Sequence, residues 1–168
     1  DITTAQIADN QWHHYAISFA SSSIDSQLQA KLYISGNLYS EHSADTGTFG
    51  PVTGSLKARI GALQTAPSGN LFFTNLANFD GASKMSASVD EFRFWKTKRT
   101  SQDIGRNWFT QVGGGTNNDI SNAELGFYFK FNEGTVGQAA TDSIVLDYSG
   151  RISNGNWVGY PGATARDS

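Results

Sequence analysis

Four groups of side chains in this chain could do chemistry. His13 and His14 are adjacent, and so are the carboxylates Asp90 and Glu91. Phe72, Phe73, Asn75, Asn78, Phe79 and Asp80 mix aromatic rings with amides and a carboxylate. Asp142, Asp147 and Asn154 form an oxygen-rich set near the end. Glycoside hydrolysis needs two carboxyl groups flanking one bond. In a strand, Asp90 and Glu91 would point to opposite faces and could not share a substrate. The same geometry keeps His13 and His14 from chelating one ion, so they read as packed, hydrogen-bonded side chains. No nucleophile motif stands beside His13, His14 or His42. No catalytic residue is therefore assigned. The 72–80 run has the residue types of a sugar site, in which a ring stacks on a pyranose face and amides take the hydroxyls. Its rings could equally close one end of a sandwich. The Asp142, Asp147 and Asn154 oxygens suit a cation such as calcium, which takes six to eight oxygen ligands.

These groups must be held by strands, because the hydrophobic pattern has period two almost throughout. Tyr15, Ile17 and Phe19 alternate with small residues, and Leu28, Ala30, Leu32 and Ile34 alternate with polar ones. The second run ends at Gly36-Asn37, a hairpin signal. Leu56 to Leu63 reads as a strand interrupted by Gly61. Val89 to Trp95 reads as another, with Phe92 and Phe94 on one buried face, Asp90 at its entrance, and Glu91 able to pair with Arg93. Leu125, Phe127, Phe129 and Phe131 alternate strongly. One helix is expected after Thr100 or Ser101, with Asp103 in its first turn and Ile104, Trp108 and Phe109 as its apolar face. Trp12, Trp95 and Trp108 read as core. The longest loop, Thr65 to Ser88, exceeds a simple hairpin connection, and such loops are usually functional.

Composition narrows the function classes. The 168 residues include 21 Phe, Trp or Tyr, so the chain buries a core rather than staying disordered. Charged residues are 16% and the net charge is −3. The densest basic run, Lys96-Thr97-Lys98-Arg99, is a short solvated turn, so nucleic acid is not expected as a partner. Cysteine is absent, which rules out disulfides and thiolate metal sites. No apolar run reaches the ~20 residues of a membrane span, so membrane insertion is not expected. The chain opens on Asp1 and shows no signal peptide, so it reads as a processed piece or fragment.

Several local patterns stand in a recognisable order. A Trp12-His13-His14 strand comes first. Leu32-Tyr33-Ile34-Ser35-Gly36 resembles an "LYVDG" hairpin strand, and Arg59-Ile60-Gly61 an "IG" strand. Val89-Asp90-Glu91-Phe92-Arg93-Phe94-Trp95 resembles "IDEVRIWN", and Thr100 to Trp108 follows where "LSxEEI" is expected. Leu125 to Gly134 resembles "LVAYYKFNEG", and Asp147-Tyr148-Ser149-Gly150 resembles "DSSG". Together, over residues 10 to 157, these resemble the laminin G-like and pentraxin-like jelly rolls of the concanavalin A-like lectin/glucanase superfamily. Trp108 to Thr116 and Val145 to Trp157 also resemble segments of large structural proteins of marine tailed phages.

The resemblance implies an all-β, antiparallel jelly-roll β-sandwich with one short helix. Only Asp1 to Asn10 precede the Trp-His-His strand, so the family's N-terminal strands are expected to be lacking, which would expose an edge and favour association. Residues 1–134 are expected to form the sandwich core, and 135–168 a loop-rich extension packed on it or leading to a next module. Glycosidases of this superfamily carry an E-x-D-x-x-E strand, which is absent here, so the chain is expected not to be an enzyme. Pentraxin-like relatives bind two calcium ions with carboxylates after the "IG" strand and in the loop before the "DE" strand. Ala62-Leu63-Gln64-Thr65 supply none, so that pair of ions is lost. One structural calcium ion remains a candidate, with Asp80 or Asp90 and backbone carbonyls as ligands. The function implied is a non-catalytic recognition or adhesion module of a larger extracellular or virion protein. It would bind a glycan or cell-surface polymer through Phe72, Phe73, Asn75, Asn78, Phe79 and Asp80, and would contact other chains of the same assembly. The alternative is a purely structural assembly domain of a phage virion.

Overall fold

The computed structural model describes residues 8–22, 27–45, 58–62, 85–112, 123–133 and 143–158, with Ser22 described by its backbone alone. The chain divides into two compact units, one of residues 1–49 with 90–168 and one of 50–89.

All the described strands lie in the first unit. β1 (Tyr15–Ser22), β2 (Gln27–Ile34) and β3 (Asn37–Asp45) form an antiparallel sheet in the order β1-β2-β3. The alternation read from the sequence fixes its faces. Ile17 stands opposite Leu32 and Phe19 opposite Ala30, so one face carries apolar residues from both strands. The β2–β3 turn is Ser35-Gly36, one residue earlier than the sequence signal suggested. Both residues have positive φ, 46° and 81°, and Ile34 pairs with Asn37 across it. A two-residue turn with left-handed φ at both positions matches the twist of the strands it joins.

β4 (Phe92–Trp95) pairs antiparallel with β5 (Leu125–Phe129), setting Phe92 against Phe129, Arg93 against Tyr128 and Phe94 against Phe127. Two short strands, β6 (Ile144–Val145) and β7 (Gly155–Asn156), form a further antiparallel sheet of two strands. Among the described residues the architecture is mostly antiparallel β with a short helix, in agreement with the sandwich expectation.

The helix, α1 (Ser101–Asn107), starts where the capping signal placed it. Thr100 Oγ1 accepts from the Asp103 N–H, and the Asp103 carboxylate accepts from the Thr100 N–H. This reciprocal box satisfies two donors that a helix start leaves open. Beyond α1, Trp108 lies so close over the β2–β3 turn that a Cβ on Gly36 would sit 2.3 Å from Trp108 Cδ1. Tyr33, buried, reaches α1 through its hydroxyl, 2.9 Å from Ser101 Oγ.

Three expectations need correction. Ala58 to Ala62 form no strand, because Gly61 takes φ +80° and bends the chain out of an extended ladder. Phe92 and Phe94 are not both core: Phe92 is half-buried and Phe94 is 47% exposed. Trp12 is 71% exposed rather than core, and Trp108, at 37%, is partly open to solvent as well. The buried apolar residues are instead Tyr33, Leu125, Tyr128, Phe129 and Val145.

Candidate ligand-binding surface

The predicted sugar residues Phe72, Phe73, Asn75, Asn78, Phe79 and Asp80 lie outside the described residues. Asp90, the other candidate calcium ligand, is exposed, and its Oδ1 accepts the Glu91 N–H at 2.8 Å. Among the described residues no three His, Asp or Glu side chains converge on a metal-sized space.

Glu91 precedes β4 in a left-handed conformation, φ +55°. That departure from the strand, not seen in the sequence, swings its carboxylate onto the Arg93–Tyr128 cross-strand pair. Arg93 donates to Glu91 Oε2 at 3.0 Å and also to the Thr110 carbonyl. The Tyr128 hydroxyl donates to the same Glu91 oxygen. Arg93 lies 5.5 Å from the Tyr128 ring centroid, a cation–π distance. Burial, and then the bond to Glu91, push the Tyr128 hydroxyl up to about 12, so it stays a donor at physiological pH. The Glu91–Arg93 pairing expected from sequence is present, and Tyr128 is its third member. With both cation and hydroxyl on one oxygen, Glu91 serves the sheet.

Asp147 is likewise engaged. Its Oδ1 accepts from the N–H groups of Tyr128 and Ser149, and its Oδ2 from Ser149 Oγ and the Ser153 N–H, all between 2.8 and 3.0 Å. A carboxylate has about four lone-pair sites, and all are taken. Asn154 Oδ1 accepts the Asp147 N–H. The oxygen-rich set read as a cation candidate is therefore, at Asp147 and Asn154, a closed hydrogen-bonded turn; Asp142 lies outside the described residues. Burial pushes the Asp147 carboxyl up, but the donors from Ser149, Tyr128 and Ser153 outweigh it and hold the group below its ordinary range.

The two histidines divide the roles expected of them. His13 Nε2 bonds Asp9 Oδ2 at 2.9 Å, and Asp9 Oδ1 accepts the Gln11 N–H. The bond from His13 holds the Asp9 carboxyl below its usual range. These contacts brace the turn that presents Trp12 to solvent. His14 is half-buried against Trp108, ring centroids 6.1 Å apart. Burial, with the Arg93 charge nearby, pushes the His14 imidazole down.

An open cleft of about 320 Å³ lies on the face of the β1–β3 sheet that carries Ile17 and Phe19. Ile17, Ala30 and Leu32 make an apolar floor, and Phe19 and Tyr39 bring rings to it. Ser40 and His42 contribute groups that can donate or accept hydrogen bonds. Its position follows from the alternation: odd residues of β1 and even residues of β2 face the same side. The sequence showed that stripe but not that it stays open, with Ile17 63% and Phe19 61% exposed. An apolar surface with a few polar groups is the usual make-up of a small-ligand site. Among the described residues no helix is long and apolar enough to cross a membrane.

Comparison with known families matches a laminin G model, described as concanavalin A-like lectin/glucanases superfamily, over residues 2–105. No curated protein and no solved structure matches the chain.

Proposed function

Because the chain belongs to the concanavalin A-like lectin/glucanase superfamily, we propose that it is a non-catalytic recognition or adhesion module of a larger extracellular or virion protein, binding a glycan or surface polymer. The observation that carries this reading is the open cleft on the β1–β3 face. Phe19 and Tyr39 offer rings to a pyranose face, and Ser40 and His42 offer hydrogen bonds to its hydroxyls. Engagement of the Glu91 and Asp147 carboxylates supports a binding role over hydrolysis, which needs two free carboxyl groups across one bond. The Phe72 to Asp80 run and one calcium ion at Asp80 or Asp90 belong to the same proposal.

A glycan array, run with and without chelator, tests it. Binding to a defined glycan class is expected, with Tyr39→Ala and His42→Ala lowering it by about tenfold or more, as loss of a ring or hydrogen-bond partner would. Loss of binding in chelator would assign calcium a part. Unchanged binding in both variants would move the site elsewhere on the chain. Absence of binding to any glycan would favour a second reading, a structural assembly domain of a virion. That reading draws support from the exposed apolar residues Ile17 and Phe19.

A further inference from the structure

We propose that Lys130, Asn132 and Tyr148 form a second binding site, which takes the carboxylate and the ring face of a uronic acid in an acidic polysaccharide. The other half-buried cations, Lys31, Arg93 and Arg99, each stand against a carboxylate, at 3.0, 3.0 and 2.8 Å. Lys130 is held differently. Its ammonium lies 5.3 Å from the Tyr128 ring centroid and 5.1 Å from that of Tyr148, and no carboxylate among the described residues is within ion-pair distance of it. The carboxylates near it in sequence are committed elsewhere. Glu133 Oε1 accepts the Leu146 N–H at 3.1 Å, and the Asp147 oxygens accept from Tyr128, Ser149 and Ser153. Ring faces hold a cation in place without cancelling its charge. The site shares no residue with the β1–β3 cleft and does not depend on it.

The backbone fixes this arrangement. The Tyr148 N–H donates to the Tyr128 carbonyl at 2.8 Å, which lays the two tyrosines side by side with ring centroids 6.4 Å apart. Tyr128 is 1% exposed and Tyr148 45%, so one ring is sealed and the other offers a face to solvent. Phe131, at φ +53°, ends the extended run of β5. That conformation is costly for a bulky residue and persists where packing enforces it. The Phe131 ring rests against Phe129 and Trp157, centroids 6.0 and 5.7 Å away. Asn132 follows, exposed, and its Oδ1 accepts from the Tyr148 hydroxyl at 3.3 Å. With the oxygen turned to the tyrosine, the amide N–H groups are left to donate. The ammonium and the amide are thus both donors, which suits an anion. The open ring suits the apolar face of a pyranose. A uronic acid joins the two, because its carboxylate is carried on the sugar ring. A neutral sugar would leave the charge of Lys130 unmatched, and a bare anion would leave the Tyr148 face uncovered.

Isothermal titration of the chain with trigalacturonate and trimannuronate tests this. Methyl-esterified trigalacturonate, which keeps the rings and loses the charge, and dextran sulfate are titrated beside them. Saturable binding of at least one uronate is expected, tighter than that of the methyl ester by about tenfold or more. Lys130→Gln should lower it by about tenfold or more, and Lys130→Arg, which keeps the charge over the rings, should retain it. Tyr148→Ala should lower it by about fivefold or more, as loss of a stacking ring would. Asn132→Asp is nearly isosteric and sets a carboxylate beside the ammonium, so it should abolish binding. Circular dichroism confirms that each variant is folded; should Lys130→Gln unfold, Asn132→Asp carries the test. A chain that binds neither uronate overturns the proposal. So does equal affinity for the methyl ester, binding of dextran sulfate alone, or uronate binding that survives both Lys130→Gln and Asn132→Asp. Uronate binding lost in Tyr39→Ala but kept in those two variants would seat the acid in the β1–β3 cleft, which overturns this site and leaves the cleft reading standing.

Discussion

The Asp147 carboxylate accepts the backbone N–H of Tyr128 at 2.9 Å, and the Tyr128 carbonyl accepts the Tyr148 N–H at 2.8 Å. One residue of β5 is thus held from both its backbone groups by the turn that follows β6. The Tyr128 side chain, 1% exposed, is held in turn by Glu91. The buried centre of the β4–β5 pair depends on a loop carboxylate far along the chain.

Removing that carboxylate should be costly. Asp147→Ala leaves the N–H groups of Tyr128, Ser149 and Ser153 without their acceptor, and a loss of roughly 2–3 kcal/mol is expected in urea unfolding. Asp147→Asn keeps one acceptor oxygen and should cost less. The carboxyl is held below 3.8, its ordinary value. Its stabilisation is therefore present above that pH and lost as pH falls through the lower folded value. Asp147→Asn should lose this acid-dependent component.

The aromatic ladder of β4 and β5 separates core from surface. Phe94 stacks on Phe127 at 4.8 Å between centroids, Phe127 on Phe129 at 5.2 Å, and Phe131 meets Trp157 at 5.7 Å. Phe129 is 7% exposed, so Phe129→Ala should cost about 3–5 kcal/mol. Phe94, half open to solvent, loses less burial, and Phe94→Ala should cost about 1–2 kcal/mol. Equal losses in thermal melts would mean that the two rings are equally buried.

That ladder shows how far the sequence reached. Period two placed β1, β2, β4 and β5, and the Thr100–Asp103 spacing placed α1. Both are local signals, set by side-chain direction and capping chemistry. Alternation says which residues share a face, but not whether another layer covers it, so it marks Phe94 as buried although the ring is half open. Departures of single residues were also invisible. Glu91 at φ +55° interrupts an extended run that the residue pattern would continue. Among the candidate site residues, the Asp147 and Asn154 oxygens were recognised but not their donors. Tyr128, Ser149 and Ser153 supply these from positions fixed by tertiary structure. The cleft rings Phe19 and Tyr39 were missed as a pair because they sit on different strands, β1 and β3, with β2 between them.

The turn between β2 and β3 should tolerate no side chain at Gly36. Its φ of +81° already strains any L-residue, and an added Cβ would lie 2.3 Å from Trp108 Cδ1. Gly36→Ala therefore combines backbone strain with displacement of the indole, and a loss of about 2–4 kcal/mol is expected. Trp108 fluorescence should change with it. A stable Gly36→Ala variant with unaltered emission would show that the indole does not rest on this turn.

His14 should make stability fall in mildly acid solution. Burial against Trp108, with Arg93 nearby, pushes its pKa below the ordinary 6.5. The unfolded chain then binds a proton at a pH where the folded chain does not. Between the two values, stability declines as pH falls; above 6.5 both states are neutral at this site and stability is flat with respect to it. The other histidine near β1, His13, bonds the exposed Asp9 instead. Urea unfolding of the unaltered chain and of His14→Gln, across pH 5 to 8, separates them. Gln keeps a polar planar side chain but does not titrate, so the decline below pH 6.5 should flatten in His14→Gln and persist in His13→Gln. The reverse pattern would place the titrating group on the Asp9 turn rather than beneath the indole.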